Sequence, residues 1–280
     1  MSAPDRRVFF VPSQFPTLQA AIEAAEGAVT IVVEPGAYDE SLTIVDRPEV
    51  VIQSARLSRR GVVLGGDGAP AVIHVERAGL ALSGIEVRSD GRSRGIRAVD
   101  ATLNLQECLV AGNCAAGSGG EQERIVGAGI AAWRSRVRVQ KSTLACNRVE
   151  AASPDAGPAA GGGLYLEECR SEIAGSTVVG NSVRSPVAAR GGGIAMVRGR
   201  LRMWKSRVTD NLLRAPACEG GGLYAFEPEP CDLGGNVVAN NTALDGLGGG
   251  LFLAGERANL PLGAGSTLHW NHPDDFWSLR

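Results

Sequence analysis

The chain has 280 residues, 38 of them glycine, with 44% hydrophobic and only 5% aromatic side chains, a composition that excludes disorder. Its 28 basic and 30 acidic side chains leave a formal net charge of −2, and no basic stripe stands out, so no nucleic-acid partner is expected. The apolar run at residues 8–11 is too short for a secretion-signal core, and nothing approaches the ~20 apolar residues of a membrane span. A soluble, cytoplasmic protein without a membrane partner is the expectation.

The first predicted element is a helix over residues 16–26. Leu18, Ala21, Ile22 and Ala25 fall at i, i+3, i+4 and i+7, Pro16 stands near the first helical position and Gly27 just beyond the end. Beyond it the chain repeats. A glycine block recurs at 127–129, 161–163, 191–193, 220–222 and 248–250, in steps of 34, 30, 29 and 28 residues. An asparagine recurs in phase at Asn113, Asn147, Asn181, Asn211, Asn241 and Asn271, in steps of 34, 34, 30, 30 and 30.

Alignment on the asparagine fixes the strands. Three residues before it stand Val110, Leu144, Val178, Val208, Val238 and Leu268; eight before it stand Leu105, Val139, Ile173, Met203 and Leu233. After the glycine block come pairs two apart, such as Leu164/Leu166 and Ile194/Met196, the period of a strand with one buried face. Three short strands per repeat bury nothing alone; stacked, they enclose a continuous interior. The fold class is therefore all-β: a right-handed parallel β-helix solenoid with an N-terminal amphipathic capping helix. It forms one domain over 1–280, with a cap and first coil at about 12–40, stacked coils over 41–271 and a C-terminal cap over 272–280. At the corner, asparagine tolerates the left-handed conformation and its amide can hydrogen-bond along the stack.

Two stretches carry a family resemblance. Phe15-Pro16-Thr17-Leu18-Gln19-Ala20-Ala21-Ile22, followed by Thr30-Ile31-Val32-Val33-Glu34-Pro35-Gly36-Ala37-Tyr38-Asp39-Glu40, resembles the opening of pectin-lyase-like right-handed β-helix proteins. The glycine-block coils resemble that superfamily's repeats, and Asn271-His272-Pro273-Asp274-Asp275 is similar to a closing coil. The resemblance covers nearly the whole chain and implies the fold; the superfamily holds lyases, hydrolases, epimerases and non-catalytic binders. Family lyases pair an arginine or lysine with calcium-holding carboxylates, and family hydrolases cluster aspartates, often before His-Gly. The repeated coils here contain no Asp-Asp pair, and none of His74, His269 and His272 precedes glycine.

The remaining chemistry-bearing residues have bland readings beside functional ones. Asp39 and Glu40 read as satisfying backbone groups at a corner, or as an acid/base pair. Asp274 and Asp275 read as turn residues. The spacing of three between His269 and His272 would suit a metal only on a helix face, and a strand or corner is expected there; His74 faces outward, and the six cysteines show no C-x-x-C pair, so no metal or cofactor is expected. The column Asn104, Arg138, Glu172, Arg202, Asp232 alternates in charge and reads as a salt-bridge ladder.

Two features stand out. Trp133, Tyr165, Tyr224, Phe226 and Phe252 occupy outward positions of the first strand, which suits sugar stacking, a protein interface or a homodimer, unless loops cover them. The loops between each asparagine and the next glycine block are 13, 13, 9, 8 and 6 residues long and carry Glu121, Glu123, Arg124, Arg148, Glu150, Asp155, Arg184, Arg190, Arg214, Glu219 and Asp245. Loops stacked on one side of a solenoid usually form its binding face. The expected activity is a binding or assembly module that engages a glycan or polypeptide in an aromatic groove, with Arg148 and Arg184 among its contacts. The alternative is a carbohydrate-active enzyme, or one modifying a peptide or natural product, with Arg190, Glu219, Arg214 and Glu167 as its catalytic groups.

Overall fold

The computed structural model describes residues 7–56, 61–66, 71–117, 124–255 and 263–279. Glu121 and Glu123 lie outside them. Every strand pairs in parallel with its counterpart one coil away, and the register reproduces the sequence columns: Leu164 lies beside Ile130 and Ile194, and Ile173 beside Val139 and Met203. The inward members of these columns, Ile130, Leu164, Ile194, Leu223 and Leu251, are all buried and belong to one continuous core. Burying each such side chain contributes roughly 1.5–3 kcal/mol. The fold is a parallel β-helix.

Among the described residues four sheets form where three strands per coil were expected, with 16, 9, 5 and 3 strands. The largest fuses two stacks, because the 11-residue strands Leu164–Ala174 and Ile194–Trp204 run through both. They bend at Glu168 and Arg198, which hold φ of 55° each. The additional sheet, Ala159–Ala160, Ala188–Arg190 and Ala217–Glu219, is built by the loops ahead of the glycine blocks. Those blocks pass against one another from coil to coil. A Cβ on Gly192 would run into the Gly221 carbonyl, so only glycine fits there.

The asparagines form the expected ladder, buried from Asn113 to Asn241 and partly exposed at Asn271. Asn113, Asn147, Asn181, Asn211 and Asn241 each donate from Nδ2 to Oδ1 of the next asparagine, at 2.8–3.0 Å. Each Oδ1 also accepts the backbone N–H of the asparagine one coil earlier, as Asn181 does from Asn147 at 3.0 Å. Asp275 ends the ladder by accepting from Asn271 Nδ2 at 2.8 Å, a more specific role than a turn residue. The left-handed residue at this corner is the one before the asparagine, for example Cys146 (φ 53°) and Asp210 (φ 59°). The asparagine itself turns its amide inward, and that inward turn is what makes the ladder.

The helix is shorter than expected, Leu18–Ala24, capped by Thr17, whose hydroxyl accepts from Ala20 N at 3.1 Å. Pro16 therefore precedes the helix. Glu40 completes the cap, accepting from Leu18 N at 2.9 Å and Gln19 N at 3.0 Å, which accounts for its carboxylate without catalysis. Leu18, Ala21 and Ile22 are buried over the end of the core. The first rung of the sheet is the strand Arg7–Val11, paired with Val29–Val33, so the first coil begins upstream of residue 12. Among the described residues, no helix is long and apolar enough to cross a membrane.

Candidate functional site

The outward face of the first strand carries two columns. One runs Arg97, Ala131, Tyr165, Ala195, Tyr224, Phe252; the other runs Val99, Trp133, Glu167, Val197, Phe226, Ala254. Alanines alternate with tyrosines in the first column, so each ring has room to lie down. The aromatic row does not stand exposed: Tyr165, Tyr224 and Phe252 are buried in a second apolar cluster with Val126, Ala160 and Ala195. The loops cross over this face and cover it, where flanking walls were one expectation. Trp133 and Phe226 remain half-buried at the edges.

Between this covered floor and the segment 155–158 lies a cleft of about 640 Å³, within the range of ligand sites. Tyr165, Glu167, Tyr224 and Phe226 face it, and Arg124, Arg190 and Arg198 rim it. A second cleft of about 400 Å³ shares Arg124 and Glu167 with it and adds Arg94, Arg97 and Arg134. Six arginines thus line the joined clefts against three carboxylates, Asp155, Glu167 and Glu168.

Glu167 is the hub. Its side chain is 15% exposed; the Tyr165 hydroxyl donates to Oε2 at 2.8 Å, and Arg124 and Arg198 each approach at 3.3 Å. Burial, and then the hydrogen bond to Glu167, pushes the Tyr165 hydroxyl far above the usual tyrosine range, so it stays a donor. The hydroxyl of Tyr165 and the charge of Glu167 raise Arg124 as well. Arg190 donates from Nε to Glu219 at 2.8 Å and lies 5.3 Å above the Tyr224 ring, a cation–π contact. Burial raises the Tyr224 hydroxyl to about 12, opposed by the Arg190 charge. Arg97 lies over Trp133 in the same way, at 5.5 Å, and also meets His74 Nδ1 at 3.3 Å. His74 is therefore engaged, where a solvated side chain was the simpler expectation.

The residues singled out in the sequence are only partly gathered. Glu167 and Arg190 share the cleft, with Glu219 held against Arg190. Arg214 is elsewhere, lining a separate depression with Glu150, Arg184 and Asp245. Arg148 is exposed at the start of the strand Arg148–Ala151 and lines neither cleft. Arg198 and Arg134 went unnoticed in the sequence, although they share a legible column. Asp100, Arg134, Glu168, Arg198 and Glu227 sit one residue after each first strand and alternate in sign. Arg134 meets Asp100 at 2.8 Å, and Arg198 meets Glu168 at 3.0 Å. Among the described residues no group of three or more His, Cys, Asp or Glu side chains could hold a metal.

No protein-family model matches the chain, and no curated protein matches it. Three solved structures are similar to it. Two are the pectin methylesterase from Aspergillus niger: in penultimately deglycosylated form (12% identity, 98% of this chain and 93% of that one, TM-score 0.41) and in deglycosylated form (11%, 98% and 93%, 0.36). The third is a pectin methylesterase in complex with a hexasaccharide (12%, 100% and 94%, 0.37). What they share is the β-helix. Superpositions this loose assign no residue a role.

Proposed function

We propose that the chain is a binding module that holds an extended acidic ligand, an acidic glycan before an acidic polypeptide, in the arginine-lined cleft beside the covered aromatic sheet. The observation that carries this reading is the state of Glu167. It is tied by Tyr165, Arg124 and Arg198, and Glu219 is likewise tied by Arg190, so both carboxylates already have partners and the arginines are the groups left to meet a ligand. An incoming anion displaces such weak, half-exposed pairings and takes the guanidinium forks for itself. Trp133 and Phe226, half-buried at the rim, offer faces on which a sugar ring packs.

A second reading has its own observation. A tyrosine hydroxyl and two guanidiniums converge on one carboxylate in a cleft of ligand size, and such convergence is also how a carbohydrate-active enzyme is assembled. Titration calorimetry with a hexasaccharide carrying one carboxylate per sugar, and with its neutral reduced counterpart, separates the two. Heat of binding from the acidic form alone, lost in Arg124→Gln/Arg198→Gln, with the ligand recovered intact, supports the module. Shortened or unsaturated products would establish the enzyme.

A further inference from the structure

Beyond the bend at Glu168 and Arg198, the large sheet turns a different face to solvent. Three outward columns stand side by side there. The corner column Asp100, Arg134, Glu168, Arg198, Glu227 alternates in charge, and so does the column Arg138, Glu172, Arg202, Asp232. The column between them does not. Arg136, Arg170 and Arg200 lie on adjacent strands in direct register, all exposed. Like charges directly opposite on neighbouring strands destabilise a sheet. Among the described residues, none of these three makes an ion pair, nor does Arg202; Glu172 binds only Arg138, at 2.9 Å. A shallow trough of about 270 Å³ runs between them, and Trp204, 37% exposed, stands two residues beyond Arg202 on the same strand. The absence of a basic stripe, inferred from net charge, was therefore wrong: the fold assembles one from residues about 30 apart.

We propose that this ladder is a second anion site, independent of the cleft, which takes a linear acidic glycan laid along the solenoid axis with one anionic group facing each arginine. Neighbouring strands stand ~4.8 Å apart, so the three guanidiniums repeat at that step. An extended chain of six-membered sugar rings advances by a similar distance per sugar, whereas the phosphates of a nucleic-acid strand are spaced more widely. Arginine forks accept carboxylate or sulfate in two-point contact, and Trp204 supplies a flat apolar face for a ring at the trough's edge. The flanking columns alternate in sign, so the unbroken run of like charge follows one line, with Arg202 beside it.

Titration of the full chain with a hexauronate, its neutral reduced counterpart and a six-nucleotide oligothymidylate tests the proposal. The expected result is two equivalents of hexauronate per chain and none of the neutral sugar. Arg136→Gln/Arg170→Gln/Arg200→Gln should lose one equivalent, or weaken it at least tenfold, and keep the other. Arg124→Gln/Arg198→Gln should do the reverse, so failure of the cleft reading and of the ladder reading are told apart. Arg170→Gln alone, at the ladder's centre, repeats the test should the triple variant misfold. Hexauronate binding that ignores the ladder variants would overturn the proposal. So would oligothymidylate displacing hexauronate from the ladder with equal affinity.

Discussion

Replacing Glu167 by glutamine separates a binding cleft from a catalytic one by the sign of its effect. In the resting protein Glu167 competes with any anionic ligand for Arg124 and Arg198, which reach it at 3.3 Å with their own side chains 65% and 47% exposed. Pairs so exposed are worth about 0.2–1 kcal/mol each. Releasing both makes about 0.4–2 kcal/mol available to the ligand, a roughly two- to thirtyfold tightening at ~1.4 kcal/mol per tenfold. Glutamine keeps an acceptor for the Tyr165 hydroxyl, which donates at 2.8 Å, so the floor of the cleft should hold its shape. Calorimetric titration of an acidic hexasaccharide into Glu167→Gln at low salt should show the tighter constant, and added salt should shrink the gain. Weaker binding by Glu167→Gln, with its fold intact by circular dichroism, would refute the reasoning and place Glu167 among the ligand's own contacts.

Three further outcomes concern the scaffold. Asn181→Ala removes the acceptor of Asn147 N (3.0 Å) deep in the stack and should cost about 2–4 kcal/mol in urea unfolding. Asn271→Ala, at the more solvent-accessible end, should cost about half as much; equal costs would contradict the ladder's burial. Cys146 is the one exposed cysteine, so brief alkylation of the native protein should label it alone, as peptide mass mapping would report, with the other five following only on unfolding. Burial lifts the Cys108 and Cys169 thiols from the usual 9.0 to about 11, so the folded state keeps protons that the unfolded chain gives up. Their contribution is complete below pH 9 and lost as pH approaches 11, by up to about 1.4 kcal/mol per unit for each thiol. Urea midpoints measured across that window should fall, and Cys108→Ala/Cys169→Ala should flatten the decline.

The coils were legible because one physical requirement, an apolar side chain facing inward at a fixed place in every turn, repeats along the chain. Val178 or Leu144 could be placed from the sequence for that reason, and so could the asparagine stack. A second buried ladder escaped notice although it lies in the same alignment, five residues before each asparagine. Cys108 N, Ser142 N and Ser176 N bond the Oγ of Ser142, Ser176 and Ser206 in turn, at 3.0–3.2 Å. Serine is common in turns of every kind, so its recurrence there carries little signal of its own. The cleft was less legible. Alternation placed Tyr165 and Tyr224 correctly on the outer face, but periodicity within a strand says nothing of loops folding over it, and those loops bury both rings. Arg190 stands directly before a glycine block and Arg214 six residues before the next, yet both fall in the loops between an asparagine and a glycine block, which suggested one shared face. The coil's path sends Arg214 to the sheet of Arg148–Ala151 and brings Arg190 beside Tyr224. Net charge misled most, because −2 over the whole chain conceals three unpaired arginines in one column.

The most direct test of the central claim is equilibrium titration of the acidic hexasaccharide into the unaltered protein, followed by mass analysis of the recovered ligand. Saturable binding, weakened by salt and by Arg124→Gln/Arg198→Gln, with the ligand returned at its original mass, is the result this account predicts. A ligand returned cleaved or otherwise changed in mass, or no binding at all, would contradict it.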